Sequence, residues 1–493
     1  ICCQLGPSLL YWQQTPSPLA YWVSEAVRDS FARLPRAANL VSPREGLATG
    51  NNEKYVRLWF EASKASIGIN CESRSQAKES CRRWFPYNKG GDFRKWSGNN
   101  LFIVDWLNDG SELQSTLHPS GFRIWAHNFN LEFIFRPFVT WSDVTSKGLT
   151  LRVFPCGYLF DATGLSAFSI EEGNSRMLSL MAALGNSVVG EKFSQILNPT
   201  LHFKSGNFAD LPVDTSVDIT NTEYCISLAR ADWNAYERSW DFQSLPLLTV
   251  STDSSRNLES SYGTWITKNK DAIAVMKRLE EENNRLIIDA YGLADELIAD
   301  VPIEQITLTV NPSYRYSGDG TEDEGWERFQ RDSMAEFLSY ATGCMMGRYS
   351  LDQPGLILAD SRDSQAAQLA AYEDKVGSPL GEVQFKPDPD GIIPVLDGEW
   401  FEDDIVARTR EFLEVTFPES TVTENLRFIE ESLGKDIRKY FCSEFYKDHL
   451  QTYKKRPIYW QVQSPKKGFA CLIYLHRYTK DTLNQVLNNY FRP

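Results

Sequence analysis

The stretch CRRWFPYNKGGDFRKWSGNNLFIVDWLNDG, residues 81–110, decides how this chain reads. Its first part, Cys81 to Gly98, sets Arg82, Arg83, Lys89, Arg94 and Lys95 against Asp92, a local charge of +4 on a chain of net charge −14. Everything outside that window therefore carries −18. Trp84, Phe85, Tyr87, Phe93 and Trp96 interleave with the cations. Gly90-Gly91 gives the backbone freedom of a tight loop, and LFIVDW (101–106) follows as an apolar strand. Cations suit phosphates, Arg suits base edges and flat rings suit stacked bases. Arg82, Arg83, Trp84, Tyr87, Lys89, Arg94, Lys95 and Trp96 are therefore the expected DNA-binding residues. The competing reading is a structural loop held by stem packing and cation–π contacts.

On the N-terminal side, PLAYWVSEAVRDSFARL (18–34) reads as a short helix with Tyr21, Trp22, Val27 and Phe31 among its apolar positions, ended by Pro35. From Gly46 onward, turn residues alternate with short apolar runs. Tyr55–Phe60, FRIWAHNFNLEFIF (122–135), FVTWSDV (138–144) and GLTLRVFPCGYLFDATG (148–164) continue that β texture. RMLSLMAALGNSVVGEKFSQIL (176–197) then reads as one apolar helix.

Beyond residue 215 the texture is helical. Ala272, Met276, Leu279, Asn283, Leu286, Ala290, Leu293 and Leu297 step by four and three, giving an exposed helix with one apolar seam. Such a short seam suits an antiparallel helical hairpin within the chain better than an intermolecular coiled coil. LIYLHRY (472–478) offers a last strand.

With 493 residues, 42% hydrophobic and 24% charged, the chain is long enough for two to four soluble domains. No apolar run reaches membrane-spanning length. ICCQLGPSLLYW at the start has neither an initiating Met nor the charged start of a signal peptide, so a chain entered partway is expected. The nine cysteines lack zinc spacing, and reduced thiols in the cytoplasm are expected.

No self-contained active site is legible, and no catalytic, cofactor-binding or metal-binding residue is assigned. ITLTVNPSY (306–314) imitates the Asn-Pro-Pro-aromatic motif of amino-methyltransferases, but Ser313 replaces the second Pro and no Gly-rich adenosylmethionine loop precedes it. GNSVVGEK (185–192) puts Glu191 where a phosphate loop needs Lys. The five histidines show no HExxH or HxxxH pairing, and GLSAF (164–168) lacks the second Gly of a nucleophile elbow.

Long strings do match a known family. PLAYWVSE (18–25), PREGLATGNN (43–52), RRWFPYNKGGDFRKW (82–96), TWSDVTSKG (140–148), FDATGLSAF (160–168) and NPTLHFKSGNFADLPV (198–213) carry the resemblance through the first half. RLEEENNRLIIDAYGL (278–293), GRYSLDQPGLILA (347–359), DGIIPVLDGEWFEDDIV (390–406) and FYKDHLQTYKKRPIYW (445–460) extend it to nearly full length. The chain resembles the C-terminal portion of the PglX family, the adenine-specific DNA methyltransferases of type 1 BREX phage-defence systems. The resemblance implies methyl transfer from S-adenosylmethionine to the N6 amino group of adenine by the full-length enzyme, marking self DNA. It also implies that the cofactor loop and catalytic motif lie N-terminal to this region, so that this chain binds no cofactor and is inactive alone.

The expected fold is α+β and multidomain: a β-rich target-recognition domain, then a mainly helical hinge and C-terminal domain. Residues 1–40 are expected to be an opening segment and helix from a methyltransferase half that the chain lacks, 41–214 the target-recognition domain, 215–300 the hinge and 301–493 the C-terminal domain. Expected partners are double-stranded DNA, the missing methyltransferase half and other BREX proteins, with no membrane. A function of a different class, an adaptor docking defence components through its acidic helical half, is the alternative.

Overall fold

The computed structural model describes residues 23–144, 148–250, 253, 256–318, 320–361, 364–466 and 468–492. The α+β, multidomain class holds, with 47% helix, 12% strand and several small sheets. Two compact units form, each from separated segments of chain. The first takes residues up to Val56, Gly68–Arg230 and Val275–Thr307; the second takes Arg57–Ile67, Ala231–Ala274 and Leu308–Pro493.

The first unit holds strands β1 (Val41–Arg44), β2 (Trp84–Asn88), β3 (Phe102–Asp105), β4 (Phe138–Thr140), β5 (Arg152–Phe154), β6 (Leu159–Phe160) and β7 (Ser166–Ser169). One sheet has the order β1-β7-β4-β5 and is antiparallel throughout, with Arg44 opposite Ser166 and Phe138 opposite Phe154. In the other, β2 runs antiparallel to β3, with Phe85 opposite Val104, and parallel to β6. The strands carry rings inward. Phe138 stacks on Phe154 at 5.2 Å and meets Phe168 at 5.6 Å, while Phe154 takes the edge of Tyr158 at 4.9 Å. Each such pair adds about 0.5–1.5 kcal/mol beyond its buried area.

The opening helix, α1 (Glu25–Arg33), begins where Ser24 Oγ accepts the Val27 N–H. Tyr21 and Trp22, at the start of the expected 18–34 helix, lie outside the described residues. A short helix, α2 (Leu107–Ser115), follows β3. The apolar 176–197 stretch is two helices, α3 (Ser175–Gly185) and α4 (Val188–Leu197), and not one. Asn186 breaks it. Its Oδ1 accepts the Leu151 N–H at 2.8 Å and its Nδ2 donates to the Leu151 carbonyl at 2.9 Å, so the side chain acts as one rung of a strand partner. Ser187 Oγ then caps α4 by accepting the Gly190 N–H at 3.1 Å. A Cβ at Gly185 would stand 2.1 Å from the Leu151 side chain, which would have to shift to admit it.

After α5 (Thr220–Asn234), the long helix α6 (Leu258–Ala290) gives its first part to the second unit and Val275–Ala290 to the first. Its seam differs from the expected hairpin. The helix ends at Ala290 and the chain turns, leaving Tyr291 and Leu293 buried in that turn. Polar rungs occupy the seam: Asn283 Nδ2 donates to the Ala183 carbonyl at 3.1 Å, and Asn284 Oδ1 accepts the Val188 N–H at 3.1 Å.

The second unit carries an antiparallel sheet in which β8 (Ile392–Pro394), β10 (Ala470–Tyr474) and β9 (Tyr459–Gln463) lie in the order β9-β10-β8. Ile392, Leu396, Cys471 and Ile473 form an apolar cluster on it. The unit's helices include α7 (Glu322–Met345), α8 (Ile405–Thr416) and α9 (Val422–Leu433). Thr321 and Glu324 form a reciprocal capping box at the start of α7. No helix among the described residues is long and apolar enough to cross a membrane.

Candidate nucleic-acid interface

The basic-aromatic stretch divides into an exposed end and a buried end. β2 is buried without a break from Phe85 to Asn88, while Trp84 at its start is half-buried and Arg82 and Arg83 just before it are exposed. The Tyr87 hydroxyl lies 2.7 Å from Asp161 Oδ2, and the same oxygen accepts Lys89 Nζ at 2.7 Å. Burial and the neighbouring Asp161 carboxylate push the Tyr87 hydroxyl far above its ordinary pKa, so it stays a neutral donor.

The turn at Gly90 and Gly91, both in the left-handed region at φ 72° and 133°, reverses the chain against Ser142, whose Oγ donates to the Gly91 carbonyl at 3.0 Å. Arg94, Lys95 and Trp96 then run inward. Arg94 Nε donates to the Ser97 carbonyl at 2.9 Å. Trp96 inserts beside β5, its N–H donating to Leu151 and its carbonyl accepting from Val153. Lys95 Nζ and Trp96 Nε1 both donate to Glu280, at 2.7 Å each.

Of the eight expected DNA-binding residues, Tyr87, Arg94, Lys95 and Trp96 are thus buried with internal partners, and Lys89 is partly buried on Asp161. These side chains are turned to partners inside the protein. Sequence could not reveal this, because Glu280 stands far along the chain.

The exposed end has its own setting. Arg83 donates Nε to Asp105 Oδ2 at 2.8 Å and lies over the Trp84 ring at 5.4 Å, its side chain still 53% exposed. Beside it is a surface hollow of about 260 Å³, lined by Arg83, Asp105, Asn108 and Glu112 among others. The hollow exists because α2 opens with Asn108, Asp109 and Gly110 all in the left-handed region, at φ 51°, 60° and 70°. Gly110 is required there: a Cβ would stand 2.5 Å from the Trp106 ring. Arg74 Nε donates to Asp109 Oδ1 at 3.1 Å, and Lys54 pairs with Glu112. Hydrogen bonding to these carboxylates raises the pKa of Arg74 and of Lys54. Of the cations in this region Arg83 lines the hollow, Arg82 precedes it in the chain, and Arg74 and Lys54 pair with Asp109 and Glu112 on α2.

In the near-catalytic segment, residues 306–314, polar side chains bond the backbone. Asn311 is buried, and its Oδ1 accepts the Ser313 N–H at 3.2 Å as a turn cap. The preceding Thr309 and Val310 N–H groups donate to Asp232 at 2.7 and 3.0 Å. Among the described residues no cluster of His, Cys, Asp and Glu could hold a metal ion.

No family model matches the chain. It is 37% identical over 497 aligned residues, 97% of its length, to the adenine-specific methyltransferase PglX of Lacticaseibacillus casei (strain Zhang). It is 34% identical over 493 residues, again 97% of its length, to the adenine-specific methyltransferase BrxX of Escherichia coli O9:H4 (strain HS). In both cases the match spans 38% of the relative's length.

Proposed function

We propose that this homologue of the adenine-specific methyltransferases is the DNA-recognition and C-terminal portion of a site-specific enzyme that methylates the N6 amino group of adenine. The single observation that carries the reading is similarity along 97% of the chain to two such proteins. Similarity of that extent leaves little of the chain outside a common design. We assign target recognition to residues 41–214, the hinge to 215–300 and the C-terminal domain to 301–493, acting in the cytoplasm on double-stranded DNA. S-adenosylmethionine would be held by the methyltransferase half, outside this chain, and the modification would mark self DNA in BREX defence beside the other defence proteins.

Within the recognition region the reading falls on Arg82, Arg83 and Trp84, with Lys89 at their flank. In the Arg83–Asp105 pair the Arg side chain is 53% exposed while the Asp side chain is 8% exposed. Arg83 can therefore stay on Asp105 and offer its remaining N–H donors to a phosphate or a guanine edge. Arg94, Lys95 and Trp96 give the loop a rigid base instead of touching DNA. Rigidity at that base keeps the exposed Arg pair from losing affinity to side-chain ordering.

The test is selection from a pool of randomised duplexes by the purified chain. Enrichment of one short asymmetric site supports the reading. Recovery of no preferred sequence, or no binding at low salt, contradicts it.

A further inference from the structure

Immediately after α2 the chain forms a projecting hairpin, Thr116–Ala126. Leu117 pairs with Ile124, the His118 N–H donates to the Arg123 carbonyl at 2.8 Å, and the Trp125 N–H donates to Thr116 at 2.9 Å. Its tip turns at Gly121, whose N–H donates to the His118 carbonyl at 2.7 Å. The base is fixed. Ala48 and His127 exchange both backbone hydrogen bonds, the Tyr55 hydroxyl lies 3.0 Å from Thr116 Oγ1, and Trp125 rests directly on Gly50. His118 meets the Trp125 ring edge-on at 5.7 Å, and its Nδ1 accepts the Ser120 N–H at 3.1 Å, which sets the tip.

This well-braced ribbon points its apolar residues outward. Phe122 is 95% exposed, Leu117 56% and Ile124 43%. Arg123 beside the Phe is also exposed, with no carboxylate partner among the described residues. No Asp or Glu occurs from Leu113 to Leu131, in a chain that carries 65 of them. A soluble acidic protein has no reason of its own to keep a projecting ribbon free of carboxylates. A polyanionic partner supplies one, since each carboxylate near a phosphate would repel it.

We propose that the hairpin is a wedge for double-stranded DNA, with Phe122 stacking at a base step and Arg123 on the adjoining phosphate. A two-stranded ribbon has the width to enter a groove, and an apolar side chain at its end can part neighbouring bases and kink the duplex. Placement supports the same partner. The hairpin springs from the C-terminal end of α2, whose opening turn lines the hollow beside Arg83. Lys54, paired with Glu112 on α2, is adjacent in the chain to Tyr55, which braces the hairpin base.

The inference rests on the DNA-recognition reading above, and the experiment separates the two. Affinity of the 493-residue chain for a mixed-sequence duplex is measured by fluorescence anisotropy at several salt concentrations, for the parent, Phe122→Ala, Phe122→Trp and Arg123→Ala. Phe122→Ala should bind roughly 5- to 150-fold more weakly, the loss of one stacked base, while Phe122→Trp keeps parental affinity. Arg123→Ala should lower the salt slope by about one unit. Because Phe122 touches solvent almost everywhere, none of these variants should change the unfolding midpoint. A parent that binds DNA, with Phe122→Ala binding equally well, overturns the wedge and leaves the recognition reading standing. A parent that does not bind the duplex overturns both.

Discussion

Glu280 and Lys95 form a buried ion pair, Oε2 to Nζ 2.7 Å, with the two side chains only 2% and 7% exposed. The other carboxylate oxygen accepts Trp96 Nε1 at 2.7 Å. One carboxylate on a helix seam therefore receives two of the residues whose types had suggested DNA contact. An expected consequence is that Lys95→Met, which leaves the Glu280 charge buried without its cation, costs about 3–5 kcal/mol of stability. Urea unfolding would read it. A loss under about 1 kcal/mol would mean that Lys95 is not held as the structure has it.

The second unit contains a carboxylate that titrates near neutrality. Glu237 is interior, accepting from the Tyr453 hydroxyl at 2.9 Å and from Ser339 at 3.3 Å. Burial raises its pKa from an ordinary 4.5 to about 7, against the pull of the Arg348 guanidinium. Below the ordinary value both folded and unfolded chains hold the proton, and Glu237 contributes no pH dependence. As pH rises from there through about 7, the unfolded chain gives up the proton first, so stability falls by about 3 kcal/mol. Glu237→Gln should remove that fall. Thermal melts of both proteins across this pH range should converge at the acid end, with Gln the more stable at the alkaline end. Parallel curves would refute the assignment.

His449 is a buried acceptor for two backbone donors, the Ile458 and Tyr459 N–H groups, each 3.1 Å from Nε2. Burial and the nearby Arg348 charge hold its pKa down at about 3, so the ring is neutral in any ordinary buffer. His449→Ala should leave two N–H groups unpaired and cost about 2–5 kcal/mol. The same depressed pKa makes the parent lose stability as pH falls below the ordinary His value, because the unfolded chain then takes up the proton first. Comparing denaturant midpoints of parent and variant at neutral and acid pH tests both statements. A midpoint that does not move would contradict them.

Much of the fold was legible from local pattern. The α+β class followed from aromatic alternation before residue 170 and three–four spacing beyond 215, and the Gly90-Gly91 turn lies in the left-handed backbone region that its glycines imply. What local pattern did not carry was decided by partners far along the chain. Arg94 to Trp96 look like a binding loop until Glu280 and Leu151 are placed beside them. The break of the 176–197 helix depends on Leu151 finding Asn186. Packing of Trp59, whose Nε1 donates to the Arg238 carbonyl at 2.9 Å, draws residues 57–67 into the second unit. For the Thr116–Ala126 hairpin the sequence shows only β texture from Phe122 onward, and it is the exposure of Leu117, Phe122 and Ile124 that makes it a surface.

The account turns on which cations of the basic stretch meet DNA, and the salt dependence of binding reads that directly. Duplex affinity should be measured against salt concentration for the parent, for Arg82→Ala/Arg83→Ala and for Lys95→Ala, the last under conditions where it stays folded. Each phosphate contact contributes roughly one unit to the slope of log affinity on log salt. The double variant should lose about two units of slope, and Lys95→Ala should keep the parental slope. A double variant with unchanged affinity and slope, or a Lys95→Ala whose slope falls while its fold is intact, would contradict the central claim.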